Sequence, residues 1–334
     1  MIELDNCPSL LVEGHSTYCQ KARKLLFDGK RVSHVLDFNI DEFRDVEEIS
    51  RAMKRISVSG VQEKFPAVID DGQIRIANDD ERSTYILKPA PWDPTLLDRK
   101  FIPVNENLTM QIASQVYGIV TAANGLCFTK NGQRVYITKR FDVMPDGTRL
   151  VMEDFATVVG KNEYDYGEGF KYMGSFEDIA VGIRNNVSAW MVDMERFLEL
   201  VVFNYIYANG DDHLKNFSLI LQGEDYRLSP AYDLLNTSLH VNGEQLCLDG
   251  GLSPNIVKSD VYVQTGHPCR LDFERFAERI GVIGPRAKRI LDKYMCLPEE
   301  SRELIDRSLL TDKLKRKYIR IVEERIARFV RESE

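Results

Sequence analysis

The sequence predicts a two-lobed α+β fold: a small antiparallel sheet with one helix, followed by a larger helical lobe. Three observations predict it. Short strand-like stretches separated by turn residues fill about 56–142, the apolar spacing beyond 142 turns helical, and 334 residues at about 150 per domain give two domains or one bilobed fold. The expected division is a short N-terminal segment over 1–49, a sheet lobe over 50–143 and a helical lobe over 144–334.

In the sheet lobe, 65–70, 73–77 and 84–88 read as strands parted by Asp71-Gly72 and Asn78-Asp79-Asp80. Asn105 is placed to cap a helix in which Leu108, Ile112, Ala113 and Val116 recur at helical spacing and Gly118 ends the run. Asn131-Gly132 is a hairpin signal joining 125–130 to 134–141. Five strands and a helix result. In the second lobe, 176–183 and 190–207 carry helical spacing, and 190–207 is apolar nearly all round, as a buried helix is. A hairpin of 217–221 and 226–232 turns at Gly223-Glu224-Asp225. In the tail, Leu304, Leu309, Leu314, Tyr318, Ile321, Val322, Ile326 and Phe329 recur among charges; the stripe is expected to pack on its own lobe, although it also suits a partner.

Composition excludes several classes. Hydrophobic residues are 43% and charged residues 29%, proportions of a folded globular protein. Forty-four basic against 52 acidic side chains give a net charge of −8, which disfavours broad, direct nucleic-acid binding. The N-terminus lacks a basic, apolar leader and no stretch approaches the ~18 apolar residues of a membrane span, so a cytoplasmic location is expected. Six cysteines without C-x-x-C spacing suit free thiols in a reducing compartment.

The chemistry concentrates in Asn209-Gly-Asp-Asp-His-Leu-Lys-Asn-Phe-Ser218, directly behind the apolar helix. Asp211, His213, Lys215 and Asn216 place a carboxylate base, a cation and a neutral oxygen ligand on one loop. The interval from Asp211 to Asn216 is that of a kinase catalytic loop, in which the Asp accepts the hydroxyl proton and the Asn holds Mg²⁺. By itself the spacing also reads as a polar helix terminus. Asn216 lies eight residues before Glu224 and Asp233 nine after it, so near-symmetric pairing would bring the two together as hard oxygen ligands for Mg²⁺. Asp233 alternatively caps the turn at 234–238. Lys88, ending a strand among apolar neighbours, is the candidate phosphate-binding cation, and Glu106 its partner; a solvated strand end and a helix-dipole charge are the plainer readings. The loop Ser57-Val-Ser-Gly-Val-Gln-Glu-Lys64 offers hydroxyls and backbone N–H groups to phosphates, whereas neither G-x-x-x-x-G-K-[ST] nor G-x-G-x-x-G occurs.

Taken in order, Ser57–Lys64, Ile86-Leu-Lys-Pro89, Asn105-Glu106, Arg140-Phe-Asp142, Glu153-Asp-Phe155, Gly210–Ser218 and Ser229-Pro-Ala-Tyr-Asp233 resemble the HipA-type toxin kinases. With about 56 residues before Ser57, the chain resembles the short HipT-type variant, whose missing N-terminal subdomain a small companion protein supplies. The resemblance implies a two-lobed, protein-kinase-like fold and an ATP- and Mg²⁺-dependent serine/threonine protein kinase. Asp211 would be the base, with His213 and Lys215 beside it. Asn216 and Asp233 would hold Mg²⁺. Lys88, Lys139, Phe141 and the loop residues Val58, Ser59, Gly60, Val61, Gln62, Glu63 and Lys64 would bind ATP. Ser57 and Ser59 match the self-modified serines, and phosphate there would repel that of ATP. The chain departs from the family pattern at Lys139, where Glu is frequent, and at Val143, where Arg is usual. Cys7, His15 and Cys19 resemble a cysteine/histidine module with Leu10 in place of another cysteine, too few ligands for zinc to be expected.

The expected partners, again by resemblance, are a helix-turn-helix antitoxin that itself touches DNA and a translation-related protein substrate such as an aminoacyl-tRNA synthetase. Two alternatives come from other classes: a small-molecule or lipid kinase of related fold, and a nucleotide-binding pseudokinase that regulates a toxin–antitoxin complex. The presence of Lys88, Asp211, Asn216 and Asp233 together argues against the last.

Overall fold

The computed structural model describes residues 3–43, 63–144, 146–241 and 246–331. Ser57 to Gln62, which carry most of the expected phosphate loop and both serines, lie outside them.

Five strands form the first sheet: β1 (Phe65–Asp70), β2 (Gln73–Ile76), β3 (Tyr85–Pro89), β4 (Asn124–Phe128) and β5 (Arg134–Lys139), in the order β2-β1-β3-β5-β4, all neighbours antiparallel. The Asp71-Gly72 turn takes positive φ at both residues, +44° and +74°, the demand that Asp-Gly meets in a two-residue hairpin. The second hairpin is longer than Asn131-Gly132 alone suggests. Phe128 faces Arg134, and residues 129–133 form the loop, closed by Thr129 N–H donating to Gln133 O and Gly132 N–H to Thr129 O.

One face of this sheet is covered by the N-terminal segment. The first helix, α1 (Gln20–Phe27), packs Ala22, Leu26 and Phe27 with Cys7, Tyr18 and Leu36 against Ala67, Tyr85, Val135 and Ile137. Cys19 caps α1, accepting from Ala22 N–H, while its own N–H donates to Cys7 Sγ at 3.3 Å. Both thiols are buried and all six cysteines are free.

The other face meets α2 (Ile102–Gln115), whose residues Ile102 to Ala113 are all buried. Here the sequence reading needs correction. The helix begins three residues before Asn105, with Pro103 in its first turn, and Asn105 lies inside it, fully buried rather than capping. α2 is central: beyond it stand the helices of the second lobe, and α2, β4, Tyr136 and those helices share one continuous apolar core.

A second, three-stranded sheet of β6 (Met152–Asp154), β7 (Ser218–Gln222) and β8 (Asp225–Leu228) runs in the order β6-β7-β8. Around it lie the short helices α3 (Phe155–Val158) and α4 (Glu163–Tyr166), then α5 (Phe176–Asn186), α6 (Trp190–Ile206), α7 (Asp260–Thr265), α8 (Arg270–Ile280), α9 (Gly284–Asp292), α10 (Glu299–Arg307) and α11 (Asp312–Phe329). The tail stripe packs on its own lobe: Leu314, Tyr318, Val322 and Phe329 of α11 belong to the shared core. β8 stops at Leu228, four residues short of the sequence reading, because Ser229-Pro230 follows and proline has no N–H to donate. From there Ala231 N–H donates to Val120 O and Ala231 O accepts from Ala122 N–H, tying the strand's end to the approach of β4. No helix among the described residues is long and apolar enough to cross a membrane.

Candidate active site

The site lies where β3, α2, the loop after α6 and the end of the β7–β8 hairpin converge. Lys88, on β3, is 2% exposed and would be costly to bury alone. Its Nζ meets Glu106 Oε1 of α2 at 2.6 Å and also pairs with Asp233 Oδ1, with the Tyr136 ring 5.3 Å away. Burial disfavours the ammonium, yet the two carboxylates hold its pKa above the ordinary lysine range. Asp233 shows the converse balance. Burial alone would raise it, and Lys64 with Lys88 draw it well below the usual carboxylate range. Lys64 Nζ lies 3.4 Å from Asp233 Oδ2. Glu106, deeper, is shifted upward by burial despite Lys88. Asp233 adopts a left-handed backbone, φ +57°, a conformation that Asp and Asn tolerate better than other non-glycine residues.

The loop after α6 is fixed by its own polar atoms. Ala208 turns left-handed at φ +55°, Asn209 N–H donates to Asn204 O at 2.8 Å, and Thr237 Oγ1 bridges Ala208 O and Gly210 N–H. Asn216 Nδ2 donates to Asp211 O at 2.7 Å, which leaves its side-chain carbonyl as the free end. The D-x-x-x-x-N interval is therefore spanned by a hydrogen bond, a reason for this spacing that the helix-terminus reading does not supply. The hairpin register pairs Leu219 with Leu228, and its base is closed by Tyr232, which donates to Lys215 O at 2.8 Å and shares a 2.6 Å bond with Ser218 Oγ. Asn216 and Asp233 thus flank the same closed base of the hairpin, one before its first strand and one after its second.

Other expected residues have partners of their own. Lys215 Nζ meets Asp154 Oδ2 at 2.6 Å, Phe141 lies 5.7 Å from the Tyr232 ring, and Lys139 pairs with Asp28 at the end of α1 rather than with the Lys88 group. His213 is buried beside the Tyr172 ring, and burial brings its pKa down to about 3, so it is neutral at pH 7. Two participants escape the sequence reading. Tyr172 Oη donates to Asp211 Oδ1 at 3.0 Å, a contact between residues 39 apart that no local spacing announces. Asp212 is 2% exposed with Oδ1 unpartnered, and burial pushes its carboxyl well above the normal range.

That shift has a measurable sign. A carboxyl whose pKa is raised on folding is stabilising below its unfolded pKa and loses that contribution as pH rises through the folded value. Asp212→Asn removes the titration. The variant is expected to gain stability relative to the parent as pH rises from 5 to 7.5, by up to about 1.4 kcal/mol per pH unit. Urea unfolding at both pH values checks it; a pH-independent difference refutes the buried-charge account.

A five-stranded sheet backed by one helix, a helical second lobe and a lysine between two carboxylates at their junction define a two-lobed, protein-kinase-like domain. Residues 56–299 match the HipA-like C-terminal domain, and the chain belongs to that family. It is 26% identical over 241 residues to a Haemophilus influenzae protein named "Putative kinase", covering 68% of this chain and 65% of that one. A Sinorhizobium fredii protein, "Putative kinase Y4dM", is 34% identical over 219 residues, covering 61% and 50%. The serine/threonine-protein kinase toxin HipA of Shewanella oneidensis is 25% identical over 232 residues, covering 63% and 50%. The matches span 50 to 65% of these curated relatives' lengths. Among solved structures, Shewanella oneidensis HipA, in complex with HipB and its operator DNA, superposes with a TM-score of 0.62 at 19% identity, over 86% of this chain and 71% of that one. The Helicobacter pylori proinflammatory kinase CtkA gives 0.50 at 16%, over 79% and 93%. Both share the fold.

Proposed function

We propose that this chain is an ATP- and Mg²⁺-dependent serine/threonine protein kinase of the toxin type. The observation that carries the reading is Lys88, buried and charged between Glu106 and Asp233, with the Asp211–Asn216 loop in the same site. A lysine held in this way is a fixed positive charge for nucleotide phosphates, and Glu106 sets its direction. Asp211 accepts the proton of a substrate hydroxyl as that oxygen bonds to the γ-phosphorus and the bond to the leaving ADP oxygen breaks. His213, whose pKa burial brings down to about 3, is too weak a base to hold that proton at neutral pH. Lys215, paired with Asp154, adds positive charge near the loop without acting as a base.

The donor set suits a hard cation: an ionised Asp233 and the free carbonyl of Asn216 would hold Mg²⁺, which neutralises phosphate charge when bound. In this reading 50–143 is the ATP-binding lobe and 144–334 carries the catalytic and metal residues. Val58 to Lys64 cover the phosphates, Lys139 and Phe141 border the nucleotide, and Ser57 or Ser59 takes the self-inhibiting phosphate. The partners are a HipB-like antitoxin, through which alone the acidic chain would meet DNA, a small companion protein, and a translation-related substrate. The work is placed in the cytoplasm.

The test is an intact-mass spectrum before and after incubation with Mg²⁺ and ATP. A gain of one or two phosphates, located on Ser57 or Ser59 by fragmentation, supports both kinase activity and self-modification. No phosphate before or after incubation overturns self-modification. Tyr172→Phe refines the role of Asp211: losing a donor to the carboxylate raises its pKa. The acid limb of the pH–rate profile is expected to move up by under one unit, with a rate loss below about tenfold. An unmoved limb removes Tyr172 from the mechanism.

A further inference from the structure

A cavity of about 1080 Å³ lies among α7, α11 and the 246–251 strip, and Lys88 and Asp211 do not line it. Its wall carries Arg325, Arg328, Lys258, His267, Asp249 and Glu324. Several cations elsewhere in this lobe are matched: Arg270, Arg279, Arg286, Lys293, Arg302 and Arg307 each grip a carboxylate, while others such as Lys288 and Arg289 stand on the surface without one among the described residues. Here, among the described residues, Arg325, Arg328 and Lys258 form no ion pair and donate no side-chain hydrogen bond, although acidic residues outnumber basic ones in the chain.

Arg325 is the telling member. It is 5% exposed, its guanidinium rests 5.5 Å from the Tyr205 ring, and its Nη1 is buried without a hydrogen-bond partner. Burial lowers its pKa, and the neighbouring Tyr205, Asp212 and Glu324 offset that only in part. Of the two wall carboxylates, Glu324 already faces Arg320 at 3.7 Å. The 249–250 stretch of the wall is pinned by its backbone: Asp249 N–H donates to Tyr172 O at 3.0 Å and Gly250 N–H to Gly174 O at 2.7 Å. Two guanidinium groups and an ammonium around a polar cavity match the two charges and three oxygens of a phosphomonoester better than a single carboxylate. The cavity is also larger than a bare phosphate, with Tyr262, Ile321 and Pro268 to meet an organic body.

We propose that this cavity is a binding site for a phosphomonoester, held by Arg325, Arg328 and Lys258. The site stands apart from the kinase reading, because its detection needs no turnover. The test is thermal unfolding and titration calorimetry with inorganic phosphate, O-phosphoserine and AMP, each at constant ionic strength against chloride. The expected result is a saturable rise in Tm with at least one of the three. Arg328→Gln weakens that binding by about tenfold or more. Arg325→Met abolishes it, while the ligand-free variant melts no lower than the parent. Tightest binding of phosphoserine identifies a phosphorylated side chain as the source, and tightest binding of AMP a nucleotide. The proposal fails if no probe gives a saturable response, or if the variants respond as the parent does, which would place the phosphate elsewhere, including the nucleotide cleft. Should Arg325→Met not fold, Arg328→Gln and Lys258→Gln carry the same comparison.

Discussion

Lys88→Met is expected to abolish phosphoryl transfer and to cost about 3–5 kcal/mol of stability, the range for breaking a buried ion pair by removing one partner. Both effects have one cause. Without the ammonium, Glu106 at 2% exposure faces Asp233 with only the half-exposed Lys64 left to neutralise the pair. Glu106 would then take up a proton. Its folded pKa, already raised, rises further, so the variant keeps most of its stability in acid and loses it as pH climbs through that value. Adding Glu106→Gln removes the buried charge, and the double variant is expected to recover at least half of the lost stability while remaining inactive. Urea unfolding at pH 5.5 and 8, run beside a phosphorylation assay, separates the two consequences. If the double variant is as unstable as Lys88→Met, the trio is not an electrostatic unit.

Asp211→Asn should lower the rate about 10³-fold, the middle of the range for general base catalysis, with folding and nucleotide affinity unchanged. The substitution keeps the shape of the side chain and an oxygen for Tyr172 Oη, and it leaves the backbone carbonyl that receives Asn216 Nδ2. Only the proton acceptor is lost. Asp233→Asn makes the contrast, because it touches Lys88 and the metal donors and is expected to weaken nucleotide binding as well. Nucleotide titration and single-turnover rates on both variants distinguish the roles. An Asp211→Asn protein with more than a tenth of the parent rate would remove Asp211 as the base.

Much of the sheet was legible because local chemistry encodes it: β1, β2, β3 and the long apolar helix follow from turn residues and spacing within a few positions. The start of α2 was not. Asn105 has a capping side chain, but in the fold that side chain serves tertiary contacts, donating to Asn236 O at 2.8 Å and accepting from Asn236 N–H at 3.2 Å across the lobes. A local preference lost to a long-range one. Lys88 and Glu106 could be named from sequence as a pair because only 18 residues and one strand-to-helix step separate them. The Lys64–Asp233 contact, 169 residues apart, depends on how the lobes meet, and the Tyr172–Asp211 contact on how distant segments of the second lobe pack; no local pattern records either. The same holds for Arg325, which reads in the tail as one more charge on a solvated face and is instead buried against Tyr205.

The central position of α2 bears on how this molecule moves. A clamshell opens at a thin hinge, and here the place of the hinge is filled. Asn105 bonds to Asn236 O, Thr109 Oγ1 lies 2.9 Å from Tyr318 Oη, and the apolar core runs from the sheet through α2 into α6 and α11 without a gap. Parting the lobes would expose a helix that is apolar or hydrogen-bonded on every side, a cost close to that of unfolding it. The sheet and the helices are therefore expected to melt together, in one cooperative transition, with α2 as the spine that joins them.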